Sequence, residues 1–218
     1  ATGTADSITL NVTNNMDSTA GAITALTVDD IETVNVAGGY LSTITTAANQ
    51  LMEITTLNAD AATTLNLSGD AAITIGAFAD ATLTTISGST ATGVLNLTLD
   101  AVVNQTVTGG SAGDTFAFGA TLTTNDTVDG GAGADVLSVT PALGTASATV
   151  SNVETGEINF NTASATFSFA NVTDMTRVDL TGSEAHRVTN LNSTVATINV
   201  ASTGAAAADT LTLTHITG

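Results

Sequence analysis

The sequence predicts an all-β protein folded as a parallel β-solenoid (a β-helix or β-roll) with about 20–21 residues per coil. Three observations carry that reading. Apolar residues recur every 21 positions at Ile23, Ile44, Leu65, Ile86, Val107 and Val128. Strings such as Glu157-Ile158-Asn159-Phe160, Arg177-Val178-Asp179-Leu180 and Thr197-Ile198-Asn199-Val200 alternate apolar and polar residues, the period-2 pattern of a half-buried strand. Aromatic residues are 3% of the chain and Pro141 is the one proline, so the core must be thin, filled by Val, Ile and Leu between Thr- and Asn-rich strands.

Taken along the chain, the first region, residues 1–140, keeps the 21-residue phase. A threonine column, Ala22, Thr43, Thr64, Thr85, Thr106 and Thr127, runs one residue ahead of the apolar one. A third column reads Ile31, Met52, Ile73, Val94, Thr115 and Val136. Beyond Pro141 the register shifts and the solenoid continues through 141–218, with Ile158, Val178 and Ile198 spaced by 20, as are Phe160, Leu180 and Val200. The two regions share an opening, Ile31-Glu32-Thr33 in one and Val153-Glu154-Thr155 in the other. Helices have little support, because Ala-rich stretches such as Ala205–Ala208 lack apolar residues at helical spacing. About ten coils at roughly 4.8 Å per rung make a rod on the order of 50 Å long.

Charge narrows the function. Two arginines, Arg177 and Arg187, stand against 20 acidic residues, for a net charge of −18. Nucleic-acid binding needs the opposite sign. Anionic lipid repels such a surface, and no run of about 18 apolar residues is present to enter a bilayer. No cysteine is available for a disulfide or thiolate site. Catalytic groups are scarce: Glu184-Ala185-His186-Arg187 is the one grouping of its type and reads as a surface turn, so no enzymatic activity is expected. The opening Ala1-Thr2-Gly3-Thr4 and the final His215-Ile216-Thr217-Gly218 read as the limits of a segment of a longer protein.

One motif carries chemistry. Asn104–Phe116 aligns with Asn125–Leu137 at a spacing of 21, with identity at 6 of 13 positions. The second copy, Gly130-Gly131-Ala132-Gly133-Ala134-Asp135-Val136-Leu137-Ser138, matches the calcium-binding nonapeptide G-G-x-G-x-D-x-U-x at every fixed position. Glycines let the turn bend until carbonyls converge, and aspartate supplies charge to a cation that takes about six to eight oxygens. Asp114 and Asp135, 21 apart, are expected to stack on one edge and share an ion, whereas Asp126 and Asp135, nine apart, fall on opposite edges. Asp29, Asp30 and Glu32 form a second acidic cluster, with Asp30 in the column of Asp114, but no glycines accompany it.

On these residues, 104–138, the chain resembles the RTX-repeat proteins, and within them the calcium-dependent bacterial surface-layer proteins exported by type I secretion. The resemblance implies an extracellular, cell-surface structural protein that self-assembles into a Ca²⁺-stabilised lattice, with itself and cell-surface polysaccharide as partners. It implies Asp114, Asp126, Asp129 and Asp135 as ligands, with the turn residues Gly110, Ala112, Gly131 and Gly133. Ala112 and Gln105 depart from the repeat, standing where the second copy has Gly133 and Asp126.

Two alternatives share the fold. The pairs Thr43/Thr45, Thr64/Asn66, Thr85/Ser87, Thr106/Thr108 and Thr127/Asp129 flank the buried column and point outward together. Such a ladder resembles the ice-binding face of certain solenoid adhesins, and an ice- or carbohydrate-binding module is one alternative. A biofilm matrix filament is the other.

Overall fold

A computed structural model describes residues 5–14, 21–40, 50–79, 82–99, 103–202 and 211–215 of the chain. In chain order the strands are β1 (Ser7–Asn14), β2 (Gly21–Thr27), β3 (Thr33–Tyr40), β4 (Leu51–Asn58), β5 (Thr64–Gly69), β6 (Ala72–Ile75), β7 (Thr85–Ala91), β8 (Leu95–Thr98), β9 (Thr106–Thr108) and β10 (Thr115–Gly119). They continue as β11 (Thr127–Asp129), β12 (Val136–Val139), β13 (Gly144–Ala146), β14 (Thr149–Ser151), β15 (Thr155–Phe160), β16 (Ala165–Ser168), β17 (Arg177–Gly182), β18 (Arg187–Leu191), β19 (Thr197–Ser202) and β20 (Thr212–His215).

The strands assemble into three sheets in which every pairing is parallel. Seven form β1-β3-β5-β7-β9-β11-β14, nine form β19-β17-β15-β12-β10-β8-β6-β4-β2, and four form β13-β16-β18-β20. Each strand pairs with one a coil away, and the chain winds as a β-solenoid of about 8 turns. Parallel pairing demands a crossover between partners, and here the other sheets of the same coil supply it.

Alternation decides which residues fill the interior. In the seven-stranded sheet, Ile8, Val34, Leu65, Ile86, Val107, Val128 and Val150 stack in one column, buried from Val34 onward. In the nine-stranded sheet the facing column runs Ile23, Ile54, Ile75, Leu97, Phe116, Leu137, Gly156, Val178 and Ile198. At Gly156 the column has no side chain of its own. Met175 fills that space, its Sδ 2.7 Å from where a Cβ would sit.

Outside the seven-stranded sheet, two polar columns follow the same register. One is Ser7, Thr33, Thr64, Thr85, Thr106, Thr127 and Thr149; the other is Thr9, Asn35, Asn66, Ser87, Thr108, Asp129 and Ser151. Asn66 Nδ2 donates to Asn35 Oδ1 at 2.8 Å, linking neighbouring rungs.

Several expected columns are corrected by this register. The 21-residue phase holds from Leu65 to Val128, but Leu65 pairs upstream with Val34, 31 residues away, and Ile23 belongs to the nine-stranded sheet opposite Ile54. These longer early coils, together with the 26-residue step from Ser7 to Thr33, are why about 8 turns replace the ten that uniform coils imply. Val94 leaves its expected column to Leu95, which pairs with Ile73. Ile158 pairs with Leu180 rather than Val178, a slip of two residues that keeps it facing inward. Thr43, Ile44, Thr45 and Ala205–Ala208 lie outside the described residues.

Candidate functional site

The glycine-rich turns sit where the chain leaves one sheet to enter the next, between β9 and β10 and, one coil on, between β11 and β12. Gly131 and Gly133 adopt φ of 91° and 137°, which side chains rarely tolerate. Close stacking also forbids side chains here. A Cβ on Gly131 would lie 2.3 Å from the Gly110 carbonyl oxygen, and one on Gly133 2.4 Å from that of Ala112. The backbone of one turn thus lies directly against the glycines of the next, and Ala132 N–H donates to the Gly110 carbonyl at 3.0 Å.

Each turn ends on an aspartate directed into the molecule. Asp114 and Asp135 are 0% and 1% exposed, and Thr115 pairs with Val136, which sets them on consecutive rungs as their spacing predicts. Their carboxylates hold the coils together through backbone N–H groups. Leu95 N–H donates to Asp114 Oδ1 at 2.8 Å, Asp114 N–H to Asp135 Oδ1 at 2.6 Å, and Asp135 N–H to Glu154 Oε2 at 2.7 Å. Each carboxylate therefore accepts from the residue one coil earlier. Gly110 N–H also donates to Asp114 Oδ2 at 2.6 Å, closing the turn. Asp135 Oδ2 is buried with no hydrogen-bond partner.

Such a stack strains ionisation. Burial raises the Asp114 carboxyl above its ordinary value, opposed by the Gly110 and Leu95 N–H bonds. Burial pushes Asp135 up to about 6, and the charges of Asp114, Glu154 and Asp129 add to it against the Asp114 N–H bond.

Of the expected ligands, the structure brings Asp114 and Asp135 into contact and leaves Asp129 close enough for its charge to act on Asp135. Asp129 itself faces outward, its Oδ1 accepting from Gly131 N–H at 3.1 Å and Asn152 Nδ2 at 2.8 Å. Asp126 heads β11 in the other sheet. There it accepts from Gln105 N–H at 2.7 Å and Thr123 N–H at 2.6 Å, an equivalent carboxylate-to-backbone link in its own corner. Gln105, one coil below, turns its amide toward the Leu83 carbonyl at 3.2 Å. Gly110 and Ala112 lie in the turn between β9 and β10, and Gly131 and Gly133 in the turn stacked on it between β11 and β12.

Glu154 joins this stack from outside the glycine–aspartate motif, and its string Val153-Glu154-Thr155 carries the signal. Glu32 in the matching string does the same task, accepting from Asp6 N–H at 2.8 Å. The cluster of Asp29, Asp30 and Glu32 stands before β3 in the seven-stranded sheet, so Asp30 does not share the column of Asp114. His186, expected on a surface turn, is instead 1% exposed and packs edge-on against Phe160 at 5.5 Å. The fold closes around it because Val188, two residues on, enters the core column opposite Phe167.

The donor set has one trait of a hard-cation site, the orphaned buried Asp135 Oδ2, while the Gly110 carbonyl in the stacked turns already accepts from Ala132 N–H at 3.0 Å. Among the described residues, no three acidic or histidine side chains converge on one point, so an ion here would draw on backbone oxygens. A parallel β-solenoid with stacked glycine–aspartate turns is what fold and site define. No family model, no curated protein and no solved structure matches the chain.

Proposed function

We propose that this chain is a structural module of a bacterial surface layer, a rigid acidic solenoid that assembles with copies of itself outside the cell and is stiffened by calcium. The observation that carries the reading is the stack of Asp114, Asp135 and Glu154 on consecutive coils, with Asp135 Oδ2 buried and without a partner. In it, Asp135 and Asp114 hold the ion with turn carbonyls, and Asp129 adds charge from outside. Calcium would offset the mutual repulsion of these carboxylates and of a molecule carrying −18. Because the folded state alone stacks these oxygens, binding stabilises the fold by mass action.

Melting with excess calcium against excess chelator is the test, joined to electron microscopy of the same samples. At calcium near 100 times its Kd the gain is about 2.7 kcal/mol. Chelation is then expected to lower the melting temperature by roughly 5–10 °C and to disperse two-dimensional sheets. Melting that is indifferent to chelator removes calcium from this reading; the absence of any assembly with calcium present removes the surface layer.

A further inference from the structure

We propose that a polar groove on the outer face of the nine-stranded sheet binds a saccharide through its hydroxyl groups. The inference stands apart from the calcium and surface-layer readings and uses none of the ligands they invoke.

The groove has a volume of about 340 Å³ and is lined by Ser138, Glu157, Asn159, Asp179 and Thr181. Small-molecule sites run from roughly 300 to 1,000 Å³. Strand alternation turns all five side chains outward: Ser138 on β12, Glu157 on β15 and Asp179 on β17 follow one another in one column, and Asn159 and Thr181 form the next column along β15 and β17. Three rungs and two columns give an opening of roughly 10 Å by 7 Å. A sugar ring has room there.

Hydrogen-bonding capacity left unused marks this groove. Asn159 Oδ1 is a buried acceptor with no hydrogen-bond partner. Among the described residues, the side chains of Ser138, Glu157 and Thr181 make no hydrogen bond either. Asp179 is fixed, its Oδ1 accepting from Arg177 Nε at 3.0 Å and Asn199 Nδ2 at 2.6 Å, and its Oδ2 meeting Arg177 Nη2 at 2.8 Å. One wall is thus preorganised, and an unmet buried acceptor costs free energy that a ligand hydroxyl recovers.

The same residues select the ligand. Arg177, lying against Asp179, repels a further cation, and Glu157 repels an anion. A purely apolar ligand would cover these polar groups without pairing them. A saccharide is neutral, and its hydroxyls donate to Glu157 and Asn159 Oδ1 and accept from Ser138 and Thr181. Hydroxyls donating to a carboxylate make short, charge-assisted bonds. No aromatic ring lines the groove to pack on a sugar face, so a single sugar is held weakly.

The test titrates the native full chain, in chelator, with the methyl glycosides of glucose, galactose and mannose at concentrations that saturate a millimolar site, and follows amide NMR shifts. At least one glycoside is expected to move the amides around Ser138, Glu157–Asn159 and Asp179–Thr181. Glu157→Gln and Asn159→Ala are each expected to weaken that binding at least tenfold with the melting temperature unchanged, whereas Glu53→Gln, elsewhere on the same sheet, leaves it as it is. No shift with any of the three, shifts confined to other residues, or binding that survives both substitutions overturns the inference. Calcium alone moving the same amides also overturns it, because the groove is then a cation site. The surface-layer reading is decided separately, by melting in chelator and by microscopy.

Discussion

An aspartate one residue ahead of a strand can turn inward and accept a backbone N–H from the coil below, as Asp114, Asp126 and Asp135 do. The arrangement satisfies donors that a tight corner would otherwise bury unmet. Its cost falls on ionisation. Asp135 is raised to about 6 from 3.8, so the proton favours the folded chain. That contribution is complete below about pH 4 and is lost as pH rises through 6. Without calcium, the melting temperature is expected to be higher at pH 5 than at pH 7.5, through a gain on the order of 1–3 kcal/mol from this group. Asp135→Asn should flatten that pH profile and also remove the response to calcium. A slope that survives the substitution would trace the effect to general charge repulsion instead. The glycines permit a sharper comparison. A Cβ at Gly130 would lie 1.8 Å from the Asn152 carbonyl oxygen, whereas one at Gly39 would meet Asp70 Oδ1 at an ordinary 3.7 Å. In urea titrations Gly130→Ala should cost about 3 kcal/mol or more and Gly39→Ala about 0.5 kcal/mol or less.

At the scale of elements, register is the quantity that packing specifies and pattern only suggests. Leu95 is fully buried opposite Ile73, while its neighbour Val94 is half-buried on the other face. Leu95→Thr is therefore expected to lose about 2–4 kcal/mol and Val94→Thr about 0.5 kcal/mol or less, a difference that denaturation midpoints would resolve. Period-2 alternation made the strands legible, and the 21-residue recurrence made legible the stack from Leu65 to Val128 and the juxtaposition of Asp114 with Asp135. Coil length was not legible. The steps range from 19 residues between Asn96 and Thr115 to 31 between Val34 and Leu65, and threonine in nearly every turn lets false columns such as that of Ile23 match. Nor did the sequence reveal that these aspartates face inward, since an aspartate in a glycine turn reads equally well as solvated. Gly156 in a core column is a further case, for its space is filled by Met175, which is distant along the chain.

For the whole molecule, stability is spread along the rod as a sum of coils and their nearest-neighbour contacts. With −18 distributed over it, raising monovalent salt from about 0.02 to 0.5 M shortens the range of repulsion from roughly 20 Å to 4 Å. The melting temperature in chelator is expected to climb by several degrees over that range, and an unchanged value would mean that the charges are already locally compensated. The parallel pairing of all three sheets has a mechanical consequence. Tension applied to the two ends of the chain loads the outermost rung first, and each coil of about 20 residues that peels away yields about 70 Å of slack. Pulled in an optical trap, the protein should lengthen in a staircase of such increments, so a sheet woven from it would absorb a tug by paying out thread before it tears.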